Sequence, residues 1–387
     1  MKIVYFDSSA TTKISERALS KLNEVAREHY GNPSSLHALG LDSEKRLSEA
    51  RMIIAKSLGI ERPSRGEIIF TSGGTESNNI AILGTALAKK RRGNEKILTT
   101  AGEHSSVSEP LAYLESIGFN VVRVPTKNGI LDLDFIRENA GGTILATFMH
   151  VNNETGALYD IKNAFEIVKR LSPEAICHTD CVQSYLKVKF TKKSIGADLI
   201  SISSHKVNGP KGVGALYISP ELIKAKKIAP IMLGGGQEEN LRSGTENVYS
   251  ICAFGEAVGE HMEALLEDCE AMSSLKEYII EGCEKIDGIR VNKPQTSAPH
   301  IVNITVKGIR SETLLHFLSS KGIYVSSGSA CSSNSQKKIS PALVGFGLDK
   351  DSIDSSVRIS LCPQNTRDEA EMLFDALNEA INKLVRK

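Results

Sequence analysis

From residue 67 to about residue 220, short apolar runs alternate with helix-length stretches, and no other feature of this chain limits its fold so strongly. "EIIFTS" is followed by the helical pattern "TESNNIAILGTALAKKRR", "KILTTAGEHSS" by "VSEPLAYLESIG", and "FNVVRVP" by a helix near 132–140. "TILATFMHVNN" precedes "IKNAFEIVKRL", and "AICHTDCVQ", "ADLISISSHK" and "GVGALYIS" close the series. Continuous apolar strands alternating with helices imply an α/β fold, a mostly parallel sheet of about seven strands covered by helices on both faces. Such a sheet binds ligands outside the carboxyl ends of its strands. The informative residues are then those just after each strand: Thr75, His104, Asn153, Asp180 and Lys206.

At 387 residues the chain exceeds one ordinary core, so a second domain is expected. A long helical region near 246–285 is followed by a changed pattern: "HIVNITV", "SETLLHFLSS", "IYVSSGSA", "SSVRISL" and a final helix "RDEAEMLFDALNEAINKLV". This reads as a smaller α+β domain joined by the N-terminal segment. The expected division is 16–260 for the large domain and 1–15 with 261–387 for the small one. Lys and Arg number 47 against 46 Asp and Glu, a balance that speaks against a nucleic-acid surface. The apolar start is cut short by Asp7, too early for a signal peptide, and no apolar run reaches membrane-spanning length. A cytoplasmic location is expected. There the seven cysteines would stay reduced, most of them as small buried fillers.

In "SSHKVNGPKG" a strand delivers Lys206 into a Gly/Pro corner. The bland reading is a solvated loop lysine; the sharper one is an amine held at the mouth of the sheet as a nucleophile. "TSGGTESNN" offers a strand-to-helix turn whose free N–H groups suit an anion, though any tight turn favours glycine. His104 in "GEHSS" and Asp180 in "HTDCVQS" have structural readings of their own, a packed imidazole and a helix cap. Taken together at one sheet edge, these residues describe a site for pyridoxal 5'-phosphate. The turn takes the phosphate, the carboxylate keeps the pyridine nitrogen protonated, and the lysine carries the cofactor.

The motifs "YFDSSATT", "GNPSSLH", "TSGGTESNN", "EHSSV", "HVNNETG", "HTDCVQS", "SSHKVNGPKGVG", "GGGQEENLRSGTEN", "SSGSACSS" and "VRISL" run nearly end to end. In this order they resemble cysteine desulfurases of the NifS/IscS kind, within the class V, fold-type I pyridoxal-phosphate enzymes. The resemblance implies that Lys206 carries the cofactor, His104 stacks on its ring and assists proton transfer, Asp180 meets the ring nitrogen and Gln183 the ring oxygen. It implies that Gly74, Thr75, Ser203 and His205 hold the phosphate and that Thr245 reaches the phosphate of a partner subunit, hence a homodimer with shared sites. It places Asn153 near the ring and gives Asn32 and Arg358 the substrate carboxylate. Cys331, in a polar Ser-rich loop, would be the thiol that takes sulfur from L-cysteine as a persulfide and passes it to an acceptor protein, an iron–sulfur scaffold among the candidates. Three sites depart from the family's usual residues: Cys181, the pair Ser8-Ser9, and Asn208. The rival readings are a selenocysteine lyase, an aminotransferase, for which Cys331 has no use, and a silent sulfur-assembly scaffold, for which none of these residues has a use.

Overall fold

The computed structural model describes residues 3–88, 93, 95–327 and 339–385. The strands are β1 (Val4–Tyr5), β2 (Ile68–Thr71), β3 (Lys96–Thr100), β4 (Asn120–Val124), β5 (Thr126–Lys127), β6 (Ile130–Leu131), β7 (Thr143–Met149), β8 (Ile176–Asp180), β9 (Leu199–Ser203) and β10 (Gly214–Ile218). Seven of them form one sheet in the order β2-β10-β9-β8-β7-β3-β4. All pairs are parallel except those of β10, which runs antiparallel to β2 and β9. Residues 204–213 are too few for a parallel crossover, so the chain turns back on itself after β9.

Successive strand side chains point to opposite faces, and here both faces are apolar. Ile68, Phe70, Phe148, Ile200 and Ile202 face one core, where helices Ala38–Ser57 and Ile161–Leu171 contribute Leu47, Ile54, Phe165 and Val168. Ile69, Ile97, Leu145, Ile176 and Leu199 face the other, against Ile80, Ile82, Leu111 and Leu114. This two-sided burial is why the strands read as continuous apolar runs. Helix starts are fixed locally: the Asp160 side chain accepts from Asn163 N, and Thr366 with Glu369 closes a capping box. Each such cap contributes roughly 1 kcal/mol.

The second sheet combines β11 (Ile289–Val291), β12 (Ile301–Val306), β14 (Ser326–Ser327) and β15 (Ser356–Ser360) in the antiparallel order β11-β12-β15-β14. The N-terminal β1 lies parallel to β13 (Ile323–Tyr324), so Val4 and Phe6 belong to this second core. Helix Val248–Glu284 serves both: Ile251, Phe254 and Val258 pack into the first core, and Met272, Leu275, Ile279 and Cys283 into the second.

Candidate active site

The carboxyl ends of β2, β7, β8 and β9 open onto a cavity of ≈ 190 Å³. Its wall includes Gly74, Thr75, His104, Asn153, Asp180, Gln183, Ser203, His205 and Lys206, nine of the residues singled out from the sequence. Asn32 and Thr245 are exposed and do not line it, and Cys331 lies outside the described residues. Arg358 sits behind the wall: one guanidinium nitrogen donates to the Asn153 carbonyl at 2.8 Å and another to Asp7 at 2.9 Å.

β2 ends at Thr71 and the helical run starts at Gly74, through Gly73 at φ 152°, a conformation that favours glycine. A Cβ on Gly74 would stand 2.6 Å from Val182 Cγ2, so only glycine lets this turn lie against the segment after β8. Thr71 Oγ1 pins the turn, 2.8 Å from Ser77 Oγ.

Asp180, at the end of β8, is held on both oxygens. Oδ1 accepts from Val182 N and Oδ2 from Asn78 Nδ2, each at 2.8 Å. The bland and sharp readings are thus compatible, because one oxygen caps the turn while the buried carboxylate remains at the cavity. Asn78 also donates to Ser106 Oγ at 2.8 Å, and that hydroxyl lies 2.8 Å from His104 Nδ1. His104 Nδ1 accepts from Ser106 N at 3.2 Å as well, so a neutral ring carries its proton on Nε2. Burial lowers the His104 pKa, an effect that the Asp180 charge opposes and Lys206 and Arg358 reinforce.

Lys206 closes a short 3-10 turn after β9. Its Nζ donates to the Ser9 and Ala10 carbonyls at 2.6 and 2.7 Å, and Gln183 Nε2 donates to the same Ser9 carbonyl at 2.9 Å. His205 is pushed down to about 4, by burial first and then by Lys206, Lys211 and Lys187, so it is a neutral ring at neutral pH. Asn78, Ser106 and the Ser9–Ala10 carbonyls are the participants not singled out beforehand. Asn78 had a signal, since it lies three residues after Thr75 on one helical face.

The three departures have local accounts. Cys181 is fully buried and burial pushes its thiol up to about 12, so it acts as an apolar filler. Asn208 has φ 56°, which asparagine tolerates, and its side chain ties Lys13 O to His261 Nε2. Ser9 N donates to Ser360 Oγ at 2.9 Å, anchoring the carbonyl that receives Lys206.

The aminotransferase class-V family pattern matches residues 4–373. The cysteine desulfurase IscS of Dictyoglomus turgidum is 37% identical over 385 residues, covering 98% of this chain and 95% of the relative. Among solved structures, a NifS-like protein superposes with a TM-score of 0.91 at 34% identity, covering 98% of this chain and 100% of that one. A structure described as SspA in complex with cysteine gives a TM-score of 0.80 at 30% identity over 94% of this chain and 100% of its own.

Proposed function

The chain belongs to the aminotransferase class-V family and is a cysteine desulfurase, and we propose that its cavity holds pyridoxal 5'-phosphate and delivers the sulfur of L-cysteine to Cys331. The observation that carries this reading is the convergence of the Lys206 amine and the doubly held Asp180 carboxylate on one cavity. The wall suits the cofactor. Ser203 Oγ and Gln183 Oε1 are buried there with no partner of their own, as expected of groups that await a polar ligand. Gly74, Thr75, Ser203 and His205 would take the phosphate, Asp180 the ring nitrogen and Gln183 the ring oxygen. When bound, the cofactor supplies an electron sink for the substrate's Cα.

The protein's own groups do the rest. Lys206 offers the amine, oriented by two carbonyls. His104, neutral with its proton on Nε2, is placed to give or take a proton at the cavity. Arg358 would bind the substrate carboxylate, for which Asp7 is its present counter-ion, with Asn32 and Asn153 assisting. The Cys331 thiolate attacks the substrate sulfur. An S–S bond forms as the C–S bond breaks, the carbon keeps the electron pair, and its protonation yields alanine. Incubation with L-cysteine is expected to release alanine and leave one transferable sulfur per chain on Cys331, read by mass spectrometry of the intact protein and its peptides. Absence of alanine would overturn the reading. The sulfur then passes to an acceptor protein, an iron–sulfur scaffold being one candidate, and the setting is cytoplasmic.

The site is read as one shared between the subunits of a homodimer, and the position of Thr245 and Asn32 outside their own chain's cavity supports that reading. Close to them in the sequence are exposed apolar side chains, including Leu36 at 92% and Leu233 at 81% exposure, with Tyr30, Leu39, Leu41 and Tyr249. An apolar patch rimmed by polar residues marks a protein contact. Mixing Lys206→Ala with Thr245→Ala subunits should restore activity that neither variant shows alone, because one site of the hybrid keeps both residues. No recovery, with hybrids shown to form, would remove the shared site.

A further inference from the structure

One step behind the cavity wall, a single amide joins two groups that the chemistry above treats separately. Asn78 is fully buried in the short helix Gly74–Asn79 that follows the glycine turn. Its Nδ2 lies 2.8 Å from Asp180 Oδ2 and 2.8 Å from Ser106 Oγ. A carboxylate only accepts, so the end of the amide that meets Asp180 is the NH2 and not the oxygen. Both amide hydrogens are then spent, one on each acceptor. Asn78 Oδ1 is buried with no hydrogen-bond partner among the described residues. An orphaned buried carbonyl is a cost that packing alone does not explain, since an apolar side chain would avoid it.

The direction of the next bond follows. Ser106 Oγ accepts from Asn78, so its single proton points elsewhere, and His104 Nδ1 stands 2.8 Å away. The Ser106 backbone N–H also points at Nδ1, from 3.2 Å. Nδ1 thus receives two donors, and the imidazole, which caps helix Ser105–Ser116, keeps its proton on Nε2. The donors run one way, from Asn78 to Asp180 on one side and from Asn78 through Ser106 to His104 on the other. His104 therefore meets the cavity first as a donor. Taking a proton at Nε2 requires the other tautomer, which would turn Nδ1–H against the Ser106 N–H.

Resting on the reading that His104 and Asp180 serve the cofactor, we propose that Asn78 is a positioning residue that sets the tautomer of His104. It acts through the Ser106 hydroxyl, and it ties that choice to the carboxylate held for the ring nitrogen. The backbone contact is the longer of the two on Nδ1, and a hydroxyl can reverse its role where a backbone N–H cannot. The direction of the Ser106 hydroxyl is thus the adjustable element, and Asn78 is the group that fixes it. An acceptor in place of the Asn78 amide would draw the serine proton to itself. Ser106 Oγ would then be left to accept from Nδ1–H.

The test is heteronuclear NMR of the histidine ring nitrogens in the full-length protein, without added cofactor and at mildly alkaline pH. The His104 signals are identified by their loss in His104→Gln. In the wild type Nδ1 should be pyridine-like and Nε2 pyrrole-like. Asn78→Asp, which is isosteric, places a carboxyl between Asp180 and Ser106. The two carboxyls share one proton, and the remaining oxygen takes the Ser106 hydrogen. The His104 shifts should then move toward the Nδ1–H tautomer. In Ser106→Ala the hydroxyl route is gone, so adding Asn78→Asp to it should move the shifts no further. Wild-type shifts in Asn78→Asp would overturn the proposal, as would an equal displacement by Asn78→Asp with the Ser106 hydroxyl absent. Should Asn78→Asp fail to fold, Ser106→Ala alone decides: the Nε2–H share should fall, and an unchanged signature would overturn the relay. None of these spectra depends on the cofactor. Failure of the cofactor reading itself would show separately, as failure of borohydride to fix added pyridoxal 5'-phosphate to Lys206.

Discussion

Lys206→Ala is expected to yield a colourless protein whose desulfurase turnover has fallen on the order of a thousandfold or more, the scale of deleting a covalent-catalysis residue. Among the described residues lining the cavity, Lys206 supplies the only amine side chain. Its placement depends on contacts that no neighbour can reproduce: the backbone turn after β9 brings Nζ to the Ser9 and Ala10 carbonyls. Lys211 is exposed beyond the Gly-Pro corner and does not line the cavity. Borohydride treatment of the wild type followed by peptide mapping should therefore mark Lys206. A mark on Lys211, or turnover in the alanine variant within tenfold of wild type, would show that the amine had been misassigned.

The second large effect is expected at Cys331→Ser, which should stay yellow and still change its spectrum with cysteine, yet lose alanine formation on a similar scale. A serine hydroxyl is almost never ionised near neutral pH, whereas a thiol has an appreciable thiolate fraction and high intrinsic nucleophilicity. None of the described cysteines is suited to take over. Burial pushes Cys181 and Cys283 up to about 12 and Cys252 up to about 11, and it raises the thiols of Cys177 and Cys269 as well. Cys362 donates to Asn365 Oδ1 and does not line the cavity. Alanine from cysteine and from selenocysteine would be measured side by side, since a selenol is the better leaving group. Wild-type turnover of cysteine by the serine variant would refute persulfide transfer to Cys331.

The sheet and the wall of the cavity were legible because they rest on short-range signals. Continuous apolar strands announce two-sided burial, and residues such as Asp180 and Lys206 stand where strands must end at a ligand. The antiparallel turn of β10 was legible too, in the short Gly/Pro corner, although the pattern was read only as mostly parallel. What escaped is non-local or backbone-borne. The Ser9 and Ala10 carbonyls meet Lys206 across nearly two hundred positions, and a carbonyl leaves no trace in residue type. Asp7 meets Arg358 across 351 positions. Lys187, which is buried, reads as solvated in "SYLKVKF", where lysines alternate with apolar residues. The left-handed Leu186 changes its face, and no sequence rule places a leucine there. Asn32 and Thr245 were named by motif alone, and the fold of a single chain gives them no place at its cavity.

Helix Val248–Glu284, about 55 Å long at 1.5 Å per residue, is shared between the two cores and breaks nowhere between them. Neither core can lose its half of the helix without exposing Phe254 and Val258 on one side or Leu275 and Ile279 on the other. The two cores are therefore tied to each other through one continuous element. A cut at residue 260 would leave two fragments, each with a ragged, unpaired end of the same rod. The rod also joins the core under the Lys206 turn to the core on which the Arg358 strand packs, as one uninterrupted element with no loop between them.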